Sequence, residues 1–257
     1  MREFHNQTVS RIRPSQRGAV LFTGPRGLYQ MEDAITLAEK ALGETALGHP
    51  DLLVYQYGKD QMGIEVVEEI SASLLLVPAR AERRVVIIEG AERLSIAAQN
   101  KFLKVLEEGD AFFILISYGE MIGTVKSRCM QVAFRPLTYQ AFHEMTGGDE
   151  ILYYVTGGCP QLTDKGNIHD IFARCGKVVK EKNAKELFRV LHVAKEKDRT
   201  SFYVTNRGDV TALFTYLGKC MEQDYGKAMA AAEASIRSTG PAYVEADFIK
   251  DLAVLVS

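Results

Sequence analysis

The sequence has no CxxC pair. Its four cysteines, Cys129, Cys159, Cys175 and Cys220, are scattered, which argues against a zinc knuckle and against a dense disulfide framework. Long apolar runs are missing too. None approaches the roughly 18 residues that a membrane span needs, and the opening MREFHNQTVSRIRP lacks the apolar stretch of a signal peptide. The expected setting is therefore cytoplasmic, with no membrane contact and with reduced, structurally passive thiols. Charge of one sign is also scarce. The formal net charge is −2, with 25% of residues charged, so no overall positive field draws the chain to nucleic acid or anionic lipid. Any DNA contact has to be local. Internal repeats and low-complexity linkers are absent from the sequence.

What is present is a rhythm. GAVLFTG (18–24) reads as a buried strand, and a helical stretch from Met31 to about Leu42 puts Ala34, Leu37, Ala38 and Ala41 on one face. DLLVYQY (51–57) is a second strand candidate. IEVVEEISASLLLVPA (64–79) is expected to stay helical until Pro78 stops it. In RRVVIIEGAE (83–92) a run of β-branched apolar residues follows two arginines, too short for a typical helix and suited to a central strand. Ser95 is placed to cap the helix SIAAQNKFLKVLEEG (95–109), which Gly109 closes before the buried strand AFFILIS (111–117). This alternation implies right-handed crossovers and a mostly parallel sheet with helices on both faces.

After FRPLTYQAF (134–142) strand-type runs largely disappear, and the boundary is expected between Pro136 and Thr138. Residues 1–137 then form an α/β core. Residues 138–180 form a small helical lid built from TYQAFHEMTG, DEILYYVTGGCPQL and NIHDIFARCG. Residues 181–257 form a short all-α C-terminal domain.

VLFTGPRGLYQME (20–32) opens like a phosphate-binding loop, G-x-x-x-x-G-K-[ST]. In that motif glycines let the backbone wrap the phosphates, Lys neutralises them and the hydroxyl holds magnesium. Gly24, Pro25, Arg26 and Gly27 fit the opening, but the last three positions are Tyr29, Gln30 and Met31. Tyr29 brings a ring where close approach wants none, Gln30 has no charge, and Met31 cannot ligate a hard cation. Losing two charge-assisted contacts costs on the order of 10² to 10⁴ in affinity. The later strand ends in Glu89 and Gly90, where an ATPase of this type has an Asp for magnesium and often a Glu beside it. Glu89 is able to take the metal role; Gly90 polarises nothing. On the loop alone, GPRG also reads as a plain strand-to-helix turn.

VVIIEGAERLSIAAQNKFLKVLEEGDAFFILIS (85–117), followed by TVKSRCMQVAFRPLT (124–138), resembles the AAA+ module of bacterial clamp-loader subunits, above all delta-prime subunits of DNA polymerase III. Asn100, Lys104, Leu106, Glu107, Glu108, Ser127, Arg128, Cys129, Phe134, Pro136 and Leu137 occupy matching positions, as does HPDLL from His49 to Leu53. The motifs cover roughly the first 140 residues in order. The resemblance implies an AAA+ P-loop-type three-layer core, a helical lid and a collar-like C-terminal domain. It implies that Arg128, within the Ser127–Arg128–Cys129 motif, reaches the ATP of a neighbouring subunit as an arginine finger in trans, a planar, permanently charged fork suited to charge on the phosphoryl oxygens. The other reading of Arg128 is a surface arginine paired with a nearby carboxylate. Ser117 stands where such proteins sense the γ-phosphate, or is a strand-end hydroxyl bonded to its own loop. Gln161 replaces a second sensing arginine.

The family's zinc module is missing, since only GETALG separates Leu42 from His49, and His49 reads as a loop or capping residue. The helical section after Glu181 is shorter than the usual collar. Arg80, Arg83, Arg84 and Arg93, with Lys101 and Lys104, form either a sequence-independent phosphate track or a solvated edge balanced by Glu82, Glu92, Glu107 and Glu108. The resulting expectation is a non-hydrolysing stator of the sliding-clamp loader that binds neither ATP nor zinc and assembles with gamma/tau and delta subunits. Two alternatives stand beside it: an active ATPase that uses Arg26 for the phosphates, and an interaction module outside replication.

Overall fold

The computed structural model describes residues 5–14, 18–56 and 61–162, together with positions 173, 174, 176, 177 and 216. The chain divides into two compact units, Met1–Pro136 and Leu137–Ser257. The further split expected at 180/181, and the helices expected from 167 onward, lie almost wholly outside the described residues.

The first unit is built on a five-stranded sheet in the order β2-β3-β4-β1-β5. The strands are β1 Gly18–Thr23, β2 Leu52–Gln56, β3 Arg84–Glu89, β4 Ala111–Ser117 and β5 Met130–Ala133. Every pairing is parallel. All of β4 is buried, as a strand flanked on both edges and covered on both faces requires. Because side chains alternate, Ala19, Leu21, Val86, Ile88, Phe113 and Leu115 share one face and pack in a single core with residues of α3 (Ile64–Leu74) and α4 (Ile96–Glu108). The alternate set, which includes Phe22, Ile87 and Ile114, is equally buried, and α2 (Gln30–Leu42) packs against β3 and β4. Each such side chain contributes about 1.5–3 kcal/mol on burial.

Local signals place the helices. Ser95 accepts a hydrogen bond from the Ala98 N–H at 3.1 Å to start α4, and the Gly109 N–H closes it on the Val105 carbonyl at 2.9 Å. Helix α2 begins one residue before the expected start, at Gln30. A larger correction concerns α3, which ends at Leu74 and does not run to Pro78. Leu75 and Leu76 donate to carbonyls three residues back, in tightening turns. The residue before a proline resists the helical region, so Leu75, Leu76 and Val77 leave the helix and stand 86%, 64% and 86% exposed.

Outside the sheet, α1 (Gln7–Ser10) is held on α2, where Lys40 Nζ donates to the Ile12 carbonyl at 2.6 Å. The α5 turn (Gly123–Lys126) leads into β5. In the second unit, α6 (Tyr139–Thr146) and α7 (Glu150–Thr156) are capped by Thr138 and Asp149. A 3-10 turn, Pro160–Leu162, carries Gln161, which is exposed.

Candidate functional site

In a parallel sheet of this kind ligands bind beyond the carboxyl ends of the strands. Here the register sets Thr23 beside Ser117 and Glu89 beside Ile116, so the ends of β1, β3 and β4 meet at one rim. The 24–29 loop leaves β1 at that rim. Gly24 has φ 145°, and a Cβ there would lie 2.2 Å from the Phe134 carbonyl oxygen. Only glycine fits, and what demands it is the chain after β5.

Tyr29 is the one non-glycine with positive φ among the described residues, at φ 62° and ψ 26°. The backbone keeps the left-handed conformation for which a phosphate loop uses glycine, although the side chain is a tyrosine. Its ring is held from outside: the His5 ring stacks on it at 4.0 Å with an interplanar angle of 13°. His5 is in turn fixed by Asp33 in the first turn of α2, which accepts from the backbone N–H groups of His5 at 2.7 Å and Asn6 at 2.8 Å. Burial raises the Asp33 pKa above the ordinary carboxyl value, against the pull of those two N–H groups and of the His5 ring.

Gln30 stands where the lysine of a phosphate loop would reach outward. It folds back instead. Its Oε1 accepts from the Leu28 N–H at 3.0 Å and its Nε2 donates to the Pro25 carbonyl at 2.5 Å, with the residue 2% exposed. A loop amide of the kind that faces phosphate is thereby satisfied by a neutral side chain. An arriving anion would have to displace Gln30, at the cost of leaving a buried amide unpaired, about 1–3 kcal/mol. Met31 is half-buried in the first turn of α2.

Across the loop, Tyr118 organises the remaining candidates. Its hydroxyl donates to Glu89 at 2.7 Å, its backbone N–H donates to Glu92 at 3.0 Å, and the Arg26 guanidinium lies 4.2 Å from its ring centroid. Burial and the Glu89 carboxylate push the Tyr118 phenol far above the ordinary tyrosine range, with Arg26 pulling weakly the other way, so it remains a donor. Glu89 already has a partner, and the Arg26 charge rests on a ring. Gly90 has φ 75° and donates to the Ile116 carbonyl, a backbone task for which glycine is suited. The Ser117 hydroxyl donates to the Gly119 carbonyl at 2.8 Å, so it is bonded within its own loop. A cleft of about 360 Å³ opens at this rim, lined by Thr23, Gly24, Tyr118, Lys126 and Gln131 among others.

Ser127, Arg128 and Cys129 divide three tasks among themselves. Ser127 Oγ donates to the Thr124 carbonyl at 3.0 Å, finishing the α5 turn. Cys129 turns inward onto the core, where burial pushes its thiol up to about 11, out of the reactive range. Arg128 is exposed: its Nε donates to Glu107 Oε1 at 2.6 Å and its Nη1 to the Thr124 carbonyl at 3.0 Å.

The HPDLL stretch proves to be a clip. Asp51, fully buried, accepts from the N–H groups of Ala79, Arg80 and Ala81 at 2.6, 2.7 and 2.9 Å. Burial alone would raise its pKa, but those three N–H groups and His49 outweigh it and hold the carboxyl below its ordinary value. His49 ties Glu44 at 2.6 Å to the Asp51 N–H at 3.0 Å, closing the GETALG loop. Of the basic residues, Lys101 pairs with Glu68 and Lys104 with Glu108. No group of three or more metal-ligating side chains forms among the described residues, and none of their helices is long and apolar enough to cross a membrane.

Tyr118, His5 and Asp33 were not singled out by the sequence, and Glu92 was named only as a carboxylate balancing the basic edge. Tyr118 adjoins the candidate Ser117, which is a usable signal; His5 and Asp33 are 28 residues apart, and nothing local links them.

Residues 6–138 match the family model described as DNA polymerase III, delta subunit. Over 91 residues the chain is 35% identical to DNA polymerase III subunit delta' of Pseudomonas aeruginosa, a stretch that covers 33% of this chain and 28% of that protein. The fold is similar to the crystal structure of a DNA polymerase III, gamma subunit-related protein from Thermotoga maritima, with TM-score 0.57 and 17% identity over 97% of this chain and 98% of that one. At that identity the likeness concerns the fold alone, and it agrees with an α/β core.

Proposed function

We propose a function from one premise: the chain belongs to the family described as DNA polymerase III, delta subunit. In this reading it is a non-hydrolysing, delta-prime-like stator of the sliding-clamp loader. It packs beside an ATP-binding gamma/tau-type subunit, presents Arg128 to that neighbour's nucleotide and helps hold the delta subunit. It takes neither ATP nor zinc itself.

The observation that carries the reading is a contrast at one rim of the sheet. Gln30 occupies the loop's own Leu28 amide, Tyr118 occupies Glu89, and Arg26 lies over Tyr118, so the groups that would hold a triphosphate already have partners in the chain. Arg128 keeps its guanidinium at the surface, with N–H donors left over after Glu107 and Thr124 are served. The rival in which Arg26 substitutes for the missing lysine is weakened by the seat of that guanidinium on Tyr118. Pairing of Lys101 and Lys104 with carboxylates favours a solvated helix edge over a DNA track at those two positions.

The test is reconstitution with gamma/tau and delta subunits, alongside calorimetry of the isolated chain with ATP and magnesium. The expected results are no measurable binding by the chain alone, intact assembly of the complex with Arg128→Ala, and a slower complex ATPase by about 10³ or more at the site that Arg128 serves. Micromolar ATP binding by the isolated chain, or unchanged turnover with Arg128→Ala, would overturn the reading.

A further inference from the structure

We propose that Glu107 is the positioning residue for Arg128, fixing the plane and direction of its guanidinium before a neighbouring nucleotide arrives. This rests on the reading of Arg128 as a residue offered in trans. Arg128 follows the single turn of α5, and Glu107 lies in the last turn of α4. The Nε–H reaches Glu107 Oε1 at 2.6 Å and an Nη1–H reaches the Thr124 carbonyl at 3.0 Å. A guanidinium is planar, so two bonds to two separate elements set its orientation while its remaining N–H donors stay available.

Stability is a poor account of this pair. The two side chains are 37% and 52% exposed, and exposed ion pairs contribute little to folding. Orientation is a better account: an arginine side chain has much rotamer freedom to lose, and a group misplaced by about 1 Å costs up to 10² in rate. The adjoining Glu108 serves as an internal contrast. It pairs with Lys104 one turn away on the same helix, whereas Glu107 reaches across to a different element, 21 residues on. Of the two neighbouring glutamates, only Glu107 touches Arg128 among the described residues.

The experiment measures steady-state ATPase of the reconstituted loader carrying Glu107→Ala, Glu107→Gln, Glu108→Ala, Arg128→Ala or the double variant Glu107→Ala/Arg128→Ala. Glu107→Ala is expected to lower kcat by about tenfold with KM for ATP unchanged, less than the full cost of misplacement because Thr124 still holds Nη1. Glu107→Gln keeps an acceptor for Nε–H and is expected to recover most of the loss. Glu108→Ala is expected to behave as the unmodified chain, and Glu107→Ala to add nothing once Arg128 is gone. Slow turnover with Arg128→Ala but normal or faster turnover with Glu107→Ala would overturn the positioning role and leave the trans role standing. Normal turnover with Arg128→Ala would instead overturn the trans role itself. A Glu107→Ala effect that persists fully in the double variant would show that Glu107 acts elsewhere.

Discussion

The rim of the sheet near Gln30 and the edge near Arg128 are built from the same kinds of group and treat them in opposite ways. At the rim three polar side chains bond within the chain: Gln30 to the loop backbone, Tyr118 to Glu89, Ser117 to Gly119. At the edge Ser127 bonds its own turn and Cys129 packs on the core, while the exposed Arg128 keeps N–H donors beyond the two that Glu107 and Thr124 take. A motif's chemistry is decided less by which residues it contains than by how much of their hydrogen-bonding capacity the chain itself uses. A buried group with its donors and acceptors taken is a structural element, and an exposed one with donors to spare stays available.

The largest way to break this contrast is to rebuild the loop. Tyr29→Gly, Gln30→Lys and Met31→Thr together restore the missing charge and hydroxyl and relieve the left-handed tyrosine. Affinity for ATP with magnesium is expected to rise by about 10² to 10⁴, read by calorimetry. No gain would mean that the Arg26–Tyr118–Glu89 column, not the loop, closes the rim.

Asp51 is the inward extreme, and Asp51→Asn is expected to cost about 2–4 kcal/mol in urea unfolding at neutral pH, because an amide group then faces N–H donors. The sign with pH follows from the depressed folded-state value. The carboxylate's contribution is complete above its ordinary pKa of 3.8 and is lost as pH falls through the lower folded value, so the gap between variant and native chain should shrink below 3.8. A gap that widens in acid would contradict the clip. Next in size, Tyr118→Phe removes the donor to Glu89 but keeps the ring under Arg26, at about 1–2 kcal/mol. The smallest effect belongs to the outward group: Arg128→Ala should change stability by less than about 1 kcal/mol. A larger loss would assign Arg128 to the fold.

Much of the core was legible because its cues are local. The run Val85–Ile88 after two arginines, the buried AFFILIS stretch and the Ser95 cap each predicted an element that formed. That positions 30 and 31 are Gln and Met, neither a lysine nor a hydroxyl, is also plain from the letters. Illegible were the facts that depend on distant chain segments. The stacking of His5 on Tyr29, the Tyr118–Glu89 bond and the choice of Glu107 as the partner of Arg128 join residues 21 or more positions apart; that Arg128 pairs with a nearby carboxylate is one of the two readings its sequence offers. Helix α3 ends three residues short of the expected stop at Pro78, and Leu75, Leu76 and Val77 face outward.

Sequence alone determined the alternating α/β core, since periodicity and residue chemistry act over a few positions. Only the tertiary structure decided what became of the groups that remained: that an amide fills the loop, that a tyrosine claims the strand-end glutamate, and that Arg128 stays exposed beside Glu107. Hydrogen bonds and ion pairs reach no further than about 3–4 Å, so which donor meets which acceptor is settled only once the fold has brought distant segments side by side.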